Sequence, residues 1–318
     1  MQNVKFISLY SEYKTVYANR KNNTPPVIRP QRRVAPDPHT SCCGYITRGS
    51  GSTRISCFKT CYLLQFEMGG MPLSKLLPYS RELPYGYAPG IFPSLALVDT
   101  RPDVCMRLLL HSKAQNGDGM ESLRARCAAL GIREETADRA LRTLSRKDNC
   151  FAAVVFEKYV CTLLETHPHV VLHQPSDMGN MGAIFRTCLG FGFTDIAVIR
   201  PAADCYDPRV VRASMGAVFA INIAAYDTFD AYRTVFPAHT IVPFMLGNHM
   251  PLSLAAAKTK EPYALVFGNE AKGLPDSFAA LGQAVRIPHS DAIDSLNLAV
   301  AVGIAAYAFC TERKNTDG

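Results

Sequence analysis

Between residues 168 and 313 the chain alternates apolar runs of strand length with stretches compatible with helix, and this alternation limits the fold more than any other feature. The runs are VVLHQ, DIAVIR, AVFAINI, TIVPFML, YALVFG and AVRI. Runs this apolar suit strands buried on both faces, which calls for helices on both sides of a mostly parallel sheet. Ligands of open α/β sheets bind outside the carboxyl ends of the strands. Chemistry is therefore expected where these runs end. No repeat of fixed period is visible.

Three such ends are too polar and too rich in glycine for packing alone. NMGAIFRTCLGFGF, residues 180–193, follows VVLHQ. Asn180 is expected to cap the next helix, with Arg186 two turns in and Gly190 and Gly192 permitting a tight exit. A dinucleotide fold is disfavoured, because G-x-G-x-x-G places its glycines ahead of the helix and these follow it. FGNEAKGLP, residues 267–275, follows YALV directly. Gly268 and Gly273 let backbone approach a ligand closely, with Glu270 and Lys272 between them. The segment lacks the G-x-x-x-x-G-K-[ST] of a phosphate loop, although an ordinary turn would have a similar composition. IPHSDAIDSLNLAVAVGIAAYAF, residues 287–309, leaves a strand at Ile287. Asp294 or Ser295 is expected to cap a helix whose first turn holds Asn297. Ala299, Ala301, Gly303, Ala305 and Ala306 are read as close-packing residues.

In this order, N-x-G-x-x-x-R, G-N-E-x-x-G-L and I-P…S-L-N-x-A-x-A resemble the three motifs of the TrmH-like (SpoU) branch of the SPOUT superfamily. DPRVVRASMGAVF, residues 207–219, resembles a further segment of that branch. Two departures stand out. Asp177-Met178-Gly179-Asn180 replaces the frequent Asp-Pro-Gly-Asn, and His289 sits where an apolar residue, often Met, is usual.

The resemblance implies an α/β fold with a deep trefoil knot and an S-adenosylmethionine-dependent transfer of methyl to a ribose 2′-hydroxyl of rRNA or tRNA. It implies a homodimer, and a cofactor pocket at Leu246, Gly247, Gly268, Ile287 and Leu296. Arg186 matches the arginine proposed to activate the hydroxyl. A guanidinium keeps its proton to above pH ~12, so it is better suited to gripping phosphate and stabilising a forming alkoxide. Glu270 is then expected to orient Arg186 or a water, and Asn180, Ser295 and Asn297 to position substrate by hydrogen bonding. The competing readings are an RNA-binding protein that keeps the fold without catalysis, and a base methyltransferase. Loss of Arg186, Glu270 or Asn297 would have favoured the first; all are present.

Residues 166–313 form the expected methyltransferase domain, and 71–165 a smaller α/β domain. SLALVDT and VCMRLLLHS are short apolar runs in the smaller one. ESLRARCAALGI has Leu123, Cys127 and Leu130 at helical spacing, with Gly131 where a C-terminal cap belongs. TADRALRTLSR reads as a helix capped by Thr136, and FAAVVFEKY as a strand. The region is similar in pattern to the L30e-like RNA-recognition domain often placed ahead of such methyltransferases.

The net charge of +7 does not come from these domains. Residues 1–70 carry ten Lys or Arg against Glu12, Asp37 and Glu67, which leaves 71–318 formally neutral. That leading stretch supports no packed core. It is read as a disordered tail, or as sequence ahead of a start at Met68 or Met71, rather than as an RNA-contacting arm. Eleven cysteines without paired spacing indicate free thiols and a reducing cytoplasm. Cys42, Cys43, Cys57 and Cys61 lack the two separated pairs of a zinc site, so no metal is expected. The longest uncharged apolar run, 295–310, is shorter than the ~20 residues of a membrane span and reads as a buried helix.

Overall fold

A computed structural model describes residues 76–144, 149–247 and 249–316. The expectations for residues 1–70, including the four-cysteine group, lie outside the described residues. The first sheet has the order β1-β4-β2-β3 and is built from β1 (Tyr85–Pro89), β2 (Cys105–Leu110), β3 (Arg133–Thr136) and β4 (Ala152–Glu157). β4 runs antiparallel to both β1 and β2, and β2 runs parallel to β3. Helices α1 (Ile91–Thr100), α2 (Asp118–Ala129) and α3 (Asp138–Leu144) connect them.

SLALVDT, read only as a short apolar run, lies inside α1. One local expectation changes here. Thr136 ends β3 and α3 begins at Asp138, whose carboxylate accepts from the Ser112 backbone N–H and hydroxyl, so Thr136 is no cap. Gly131 does end α2 with φ +68°, while Leu130 stays 48% exposed next to buried Leu123 and Cys127.

The second sheet is wholly parallel, in the order β7-β6-β5-β10-β8. Its strands are β5 (His169–His173), β6 (Asp195–Ile199), β7 (Asn222–Tyr226), β8 (Thr240–Pro243) and β10 (Tyr263–Phe267). α4 (Met178–Gly190), α5 (Pro208–Ala213), α6 (Phe229–Val235), α7 (Leu252–Lys258) and α8 (Leu298–Thr316) cover it. A small parallel pair, β9 (Met250–Pro251) with β11 (Val285–Arg286), lies beyond β8 and is joined to it by a bridge from Phe244 to Val285. AVFAINI divides: Ala217–Phe219 is a 3₁₀ turn and β7 starts only at Asn222.

Side chains alternate across this sheet as the pleat requires. Val170 and Leu172 of β5 join Leu265 and Phe267 of β10 on one face, under Ile184 and Phe185 of α4 and Phe309 of α8. Val171, Ala264 and Val266 face the other way, under Phe229 and Tyr232 of α6. Both faces are dry, which explains the unbroken apolar runs. The close-packing residues of α8 behave as read: Ala305 and Ala306 are fully buried, and the Cβ of an alanine at Gly303 would sit 3.4 Å from Thr187 Cγ2.

The two sheets share one core. Phe156 at the end of β4 packs edge-to-face on Phe219 and Tyr206, with ring centroids 5.0 and 5.4 Å away. Gly216 holds φ +87°, and a Cβ there would lie 2.5 Å from Ala96 Cβ and 3.0 Å from Pro93 Cα, both in α1. A side chain at 216 would force the sheets apart.

Candidate active site at the switch point of the sheet

From β5 the chain winds outward through β6 to β7, then crosses to the opposite side, where β10 inserts between β5 and β8. β5 and β10 are neighbours whose onward connections diverge, so a crevice opens at their carboxyl ends. Two of the three motif segments leave the sheet at this point, and the third reaches it as the start of α8.

Glu270 joins the first two. Its Oε2 accepts from the Ser176 backbone N–H (3.1 Å), the Ser176 hydroxyl (2.9 Å) and Asn269 Nδ2 (3.3 Å). Its Oε1 accepts from the Asp177 backbone N–H (3.0 Å) and Asn180 Nδ2 (3.5 Å). Burial opposes the charge, but the backbone N–H groups of Asp177, Glu270 itself and Ser176, with the Ser176 hydroxyl, outweigh it and hold this carboxyl below its ordinary range. An anion so fully engaged anchors loops. It touches neither Arg186 nor any group that Arg186 holds, which corrects its expected role as a guide for that guanidinium.

Asn297 adds the third segment. Its Nδ2 donates to Asn180 Oδ1 (3.0 Å), and its Oδ1 accepts from the backbone N–H of Ala299 (2.9 Å) and Val300 (3.3 Å). Asn297 therefore caps α8, and neither Asp294 nor Ser295 does. Asn180 is likewise not the cap of α4. Asp177 is, accepting from the Asn180 backbone N–H at 2.6 Å, which leaves the Asn180 amide free to bridge Glu270 and Asn297. Ser295 is exposed and has no partner among the described residues. Arg186 projects from α4, exposed and without a hydrogen bond or ion pair among the described residues.

The residues expected at the cofactor line the same edge. Leu246 and Gly247 follow β8, where Phe244 N–H donates to Val266 O and Met245 N–H to Val285 O. These bonds lay the strand ends of β8, β10 and β11 side by side, with Gly247, Gly268 and Ile287 each just beyond one of them. Leu246 is 59% exposed, an apolar side chain without cover. Gly247 has φ +105°. At Gly268 a Cβ would sit 2.2 Å from Gly273 C and 2.4 Å from Leu274 N, so only glycine lets the 268–274 turn close on itself. Leu296 is half-buried just ahead of α8. The donor set, backbone with apolar side chains, suits a ligand with an adenine ring and a methionine chain. His289, the departure noted above, lies within 2.8 Å of the Ile287 carbonyl through Nδ1.

Sequence reasoning missed Asn269, Ser176 and Asp177. Asn269 Nδ2 donates to Gln174 O (2.8 Å), and its Oδ1 accepts from the N–H groups of Ala271 (3.0 Å) and Lys272 (3.2 Å). It lies inside the G-N-E motif, which was the available signal. Asp177 had one too, a carboxylate three residues before Asn180.

In sequence and fold the chain is similar to known proteins. A model of the SpoU rRNA methylase family matches residues 167–307. A Listeria monocytogenes serotype 4b protein, provisionally named a tRNA (cytidine(34)-2′-O)-methyltransferase, is 32% identical over 145 residues, 44% of this chain and 84% of that one. The chain belongs to the SpoU rRNA methylase family. A Streptomyces viridochromogenes 23S rRNA (uridine(2479)-2′-O)-methyltransferase is 29% identical over 152 residues, 45% of this chain and 52% of that one. The crystal structure of an AdoMet-bound rRNA methyltransferase from Sinorhizobium meliloti superposes with a TM-score of 0.61 at 29% identity, covering 73% of this chain and 88% of that one. All three family motifs fall within the matched residues except the last two positions of the third segment, Ala308 and Phe309.

Proposed function

We propose that this SpoU-family chain is an S-adenosylmethionine-dependent RNA methyltransferase that modifies a ribose 2′-hydroxyl of rRNA or tRNA. The observation that carries the reading is the hydrogen-bonded array Glu270–Asn180–Asn297. It fastens three distant motifs at the switch point while leaving Arg186, on the same helix as Asn180, without a bond among the described residues.

When bound, the cofactor supplies an electrophilic methyl carbon. Leu246, Gly247, Gly268, Ile287 and Leu296 would hold it, through backbone groups at the glycines and apolar contact at the others. Arg186 grips the RNA phosphate next to the reacting ribose and stabilises the negative charge that develops on the 2′-oxygen. Glu270 fixes the 174–180 loop, so that Arg186 and Asn180 keep their positions relative to the cofactor. Its oxygens are occupied by donors, so the hydroxyl proton leaves to solvent at this exposed edge. Ser295 and the Asn180 amide orient the ribose.

The insertion of β10 between β5 and β8, with 283–287 laid back along 241–250, supports a trefoil knot in residues 166–313. A mixed sheet ahead of it supports an L30e-like RNA-binding domain in 71–165. Val300, Ile304 and Tyr307 form an exposed apolar stripe on α8, 51%, 38% and 61% accessible, continuous with the site at Asn297. A second copy of this chain covers that stripe and completes a homodimer. No described helix is long and apolar enough to cross a membrane, and an RNA-modifying enzyme belongs in the cytoplasm.

The test is methyl transfer from labelled S-adenosylmethionine to separated rRNA and tRNA fractions, with nucleoside mass analysis. A 2′-O-methylated nucleoside in one fraction is expected. A methylated base would move the reading to base methylation, and RNA binding without any transfer would make the chain a non-catalytic binder.

A further inference from the structure

Arg200 follows β6 directly, on the same carboxyl edge as the site, and Arg81 comes from the segment ahead of β1. With Pro201, Ala202 and Asp227 they line a cleft of about 410 Å³. We propose that Arg81 and Arg200 form a subsite for a backbone phosphate of the RNA, beside the nucleotide whose ribose is methylated. This inference rests on the proposed function for the identity of its ligand.

Four observations carry it. First, both guanidinia are held in place while most of their donors stay uncommitted. Arg81 Nη1 donates to Ala202 O (3.2 Å) and Arg200 Nη1 to Asp227 Oδ1 (2.7 Å), out of five N–H groups on each side chain. Second, the backbone that presents Arg81 is pinned: Lys158 Nζ donates to Ser80 O (3.3 Å) and Arg81 O (3.0 Å), and the Tyr79 hydroxyl donates to Asp204. Third, the Arg200–Asp227 pair is open to water, with side chains 52% and 80% exposed. Such a pair is worth little, so a phosphate can displace the carboxylate at small cost and accept from both arginines with planar, bidentate geometry.

Fourth, the cleft and the site share a wall. Ala203 N–H donates to Pro175 O (2.9 Å), Gln174 N–H donates to Ile199 O (3.0 Å), and the next residue, Ser176, is held by Glu270. Only about one peptide separates the residue that Arg81 holds from the loop that Glu270 fixes. A strand of RNA crossing the carboxyl edge from β7 towards β10 meets Arg200 and Arg81 before it reaches the methyl-transfer point. The cleft has no apolar side chains beyond Pro201 and Ala202, so it offers a base little to stack on. It fits the backbone.

The experiment uses the full chain and a fluorescein-labelled single-stranded RNA of about twenty nucleotides, followed by anisotropy across a salt series. Arg81→Ala and Arg200→Ala are each expected to weaken binding about tenfold, the scale of a charge-assisted bond. Each should also lower the slope of log affinity against log salt by ~0.7, the value for one phosphate contact on a single strand. Asp227→Asn, which removes the competing carboxylate, is expected to tighten binding roughly two- to fivefold, a gain that misfolding cannot produce. S-adenosylmethionine affinity should be unchanged in all three.

Wild-type RNA affinity and salt slope in both arginine variants would overturn the subsite. If the variants lose affinity and slope as expected but the wild-type chain transfers no methyl, the subsite stands and the methyl-transfer reading falls. If methyl transfer is intact and the arginine variants bind RNA as the wild type does, the reverse holds.

Discussion

The carboxyl and amino ends of the five-stranded sheet both gather polar side chains, and they use them differently. At the amino end, Asp195 is fully buried and accepts from Leu164 N–H (2.9 Å), Thr194 Oγ1 (2.9 Å) and Asn222 Nδ2 (3.0 Å), with His167 Nδ1 at 2.9 Å. His169 is bonded through both ring nitrogens, to the Tyr232 hydroxyl and Leu164 O at 2.9 Å each, and stacks on His239 with centroids 4.2 Å apart. Nearly every polar atom is spent on its neighbours. At the carboxyl end Glu270, Asn180 and Asn297 are just as closely bonded, but to one another across the motifs. The positive groups beside them, Arg186, Arg81 and Arg200, keep most of their donors. A titratable cluster alone therefore does not mark a site; the mark is a bonded frame that leaves charge available.

That contrast can be broken by experiment, and the largest effect is expected at Arg186. Arg186→Ala should lower the single-turnover rate of methyl transfer by about 10²–10³, the usual cost of removing one charge-stabilising donor. Thermal stability and cofactor affinity should hardly change, because Arg186 bonds to nothing described in the fold. Wild-type turnover would remove it from the mechanism.

The amino end should answer to pH and not to turnover. Burial holds His169 neutral, its pKa lowered from 6.5 to about 4. The folded protein thus binds fewer protons there than the unfolded chain between pH 6.5 and 4. Its contribution to stability is complete above the unfolded value and is lost as pH falls through that window. Denaturant titrations should show a loss on the order of 3 kcal/mol across it. The loss should shrink in His169→Gln, whose turnover at pH 7.5 should match the wild type per folded molecule. A pH-independent stability would break the comparison on this side.

The smallest effect is expected at Asn297, which belongs to both the frame and the helix. Asn297→Ala removes a cap worth about 1 kcal/mol, and with it the bond to Asn180. A modest fall in Tm with a severalfold rise in KM for RNA would place it between the extremes. Loss of Tm alone would reduce it to a cap.

Much of this was legible in the sequence. The apolar runs placed the strands of the parallel sheet because burial on both faces leaves little else to encode. The motifs were visible because strand ends hold residues that packing does not ask for. What failed was local competition settled by distant partners. Asn180 and Asp177 are both good caps, and Asn180 is excluded only because its amide is needed by Glu270 and Asn297. Ser295 loses to Asn297, whose Oδ1 caps the helix while its Nδ2 reaches Asn180. Glu270 could not be assigned from spacing, since its partners Ser176, Asp177 and Asn180 lie ninety or more positions earlier in the chain. SLALVDT was left without a type, because a run that short carries no period.

Gly216 deserves a last consequence. Because its missing side chain lets α1 pack directly on the 214–219 turn, any side chain there would push the front of the molecule away from the back. If the front reads RNA as proposed, this close packing would set the offset between a feature read there and Arg186. The pair of sheets would then act as a caliper, choosing a nucleotide by its distance from a landmark as well as by its identity.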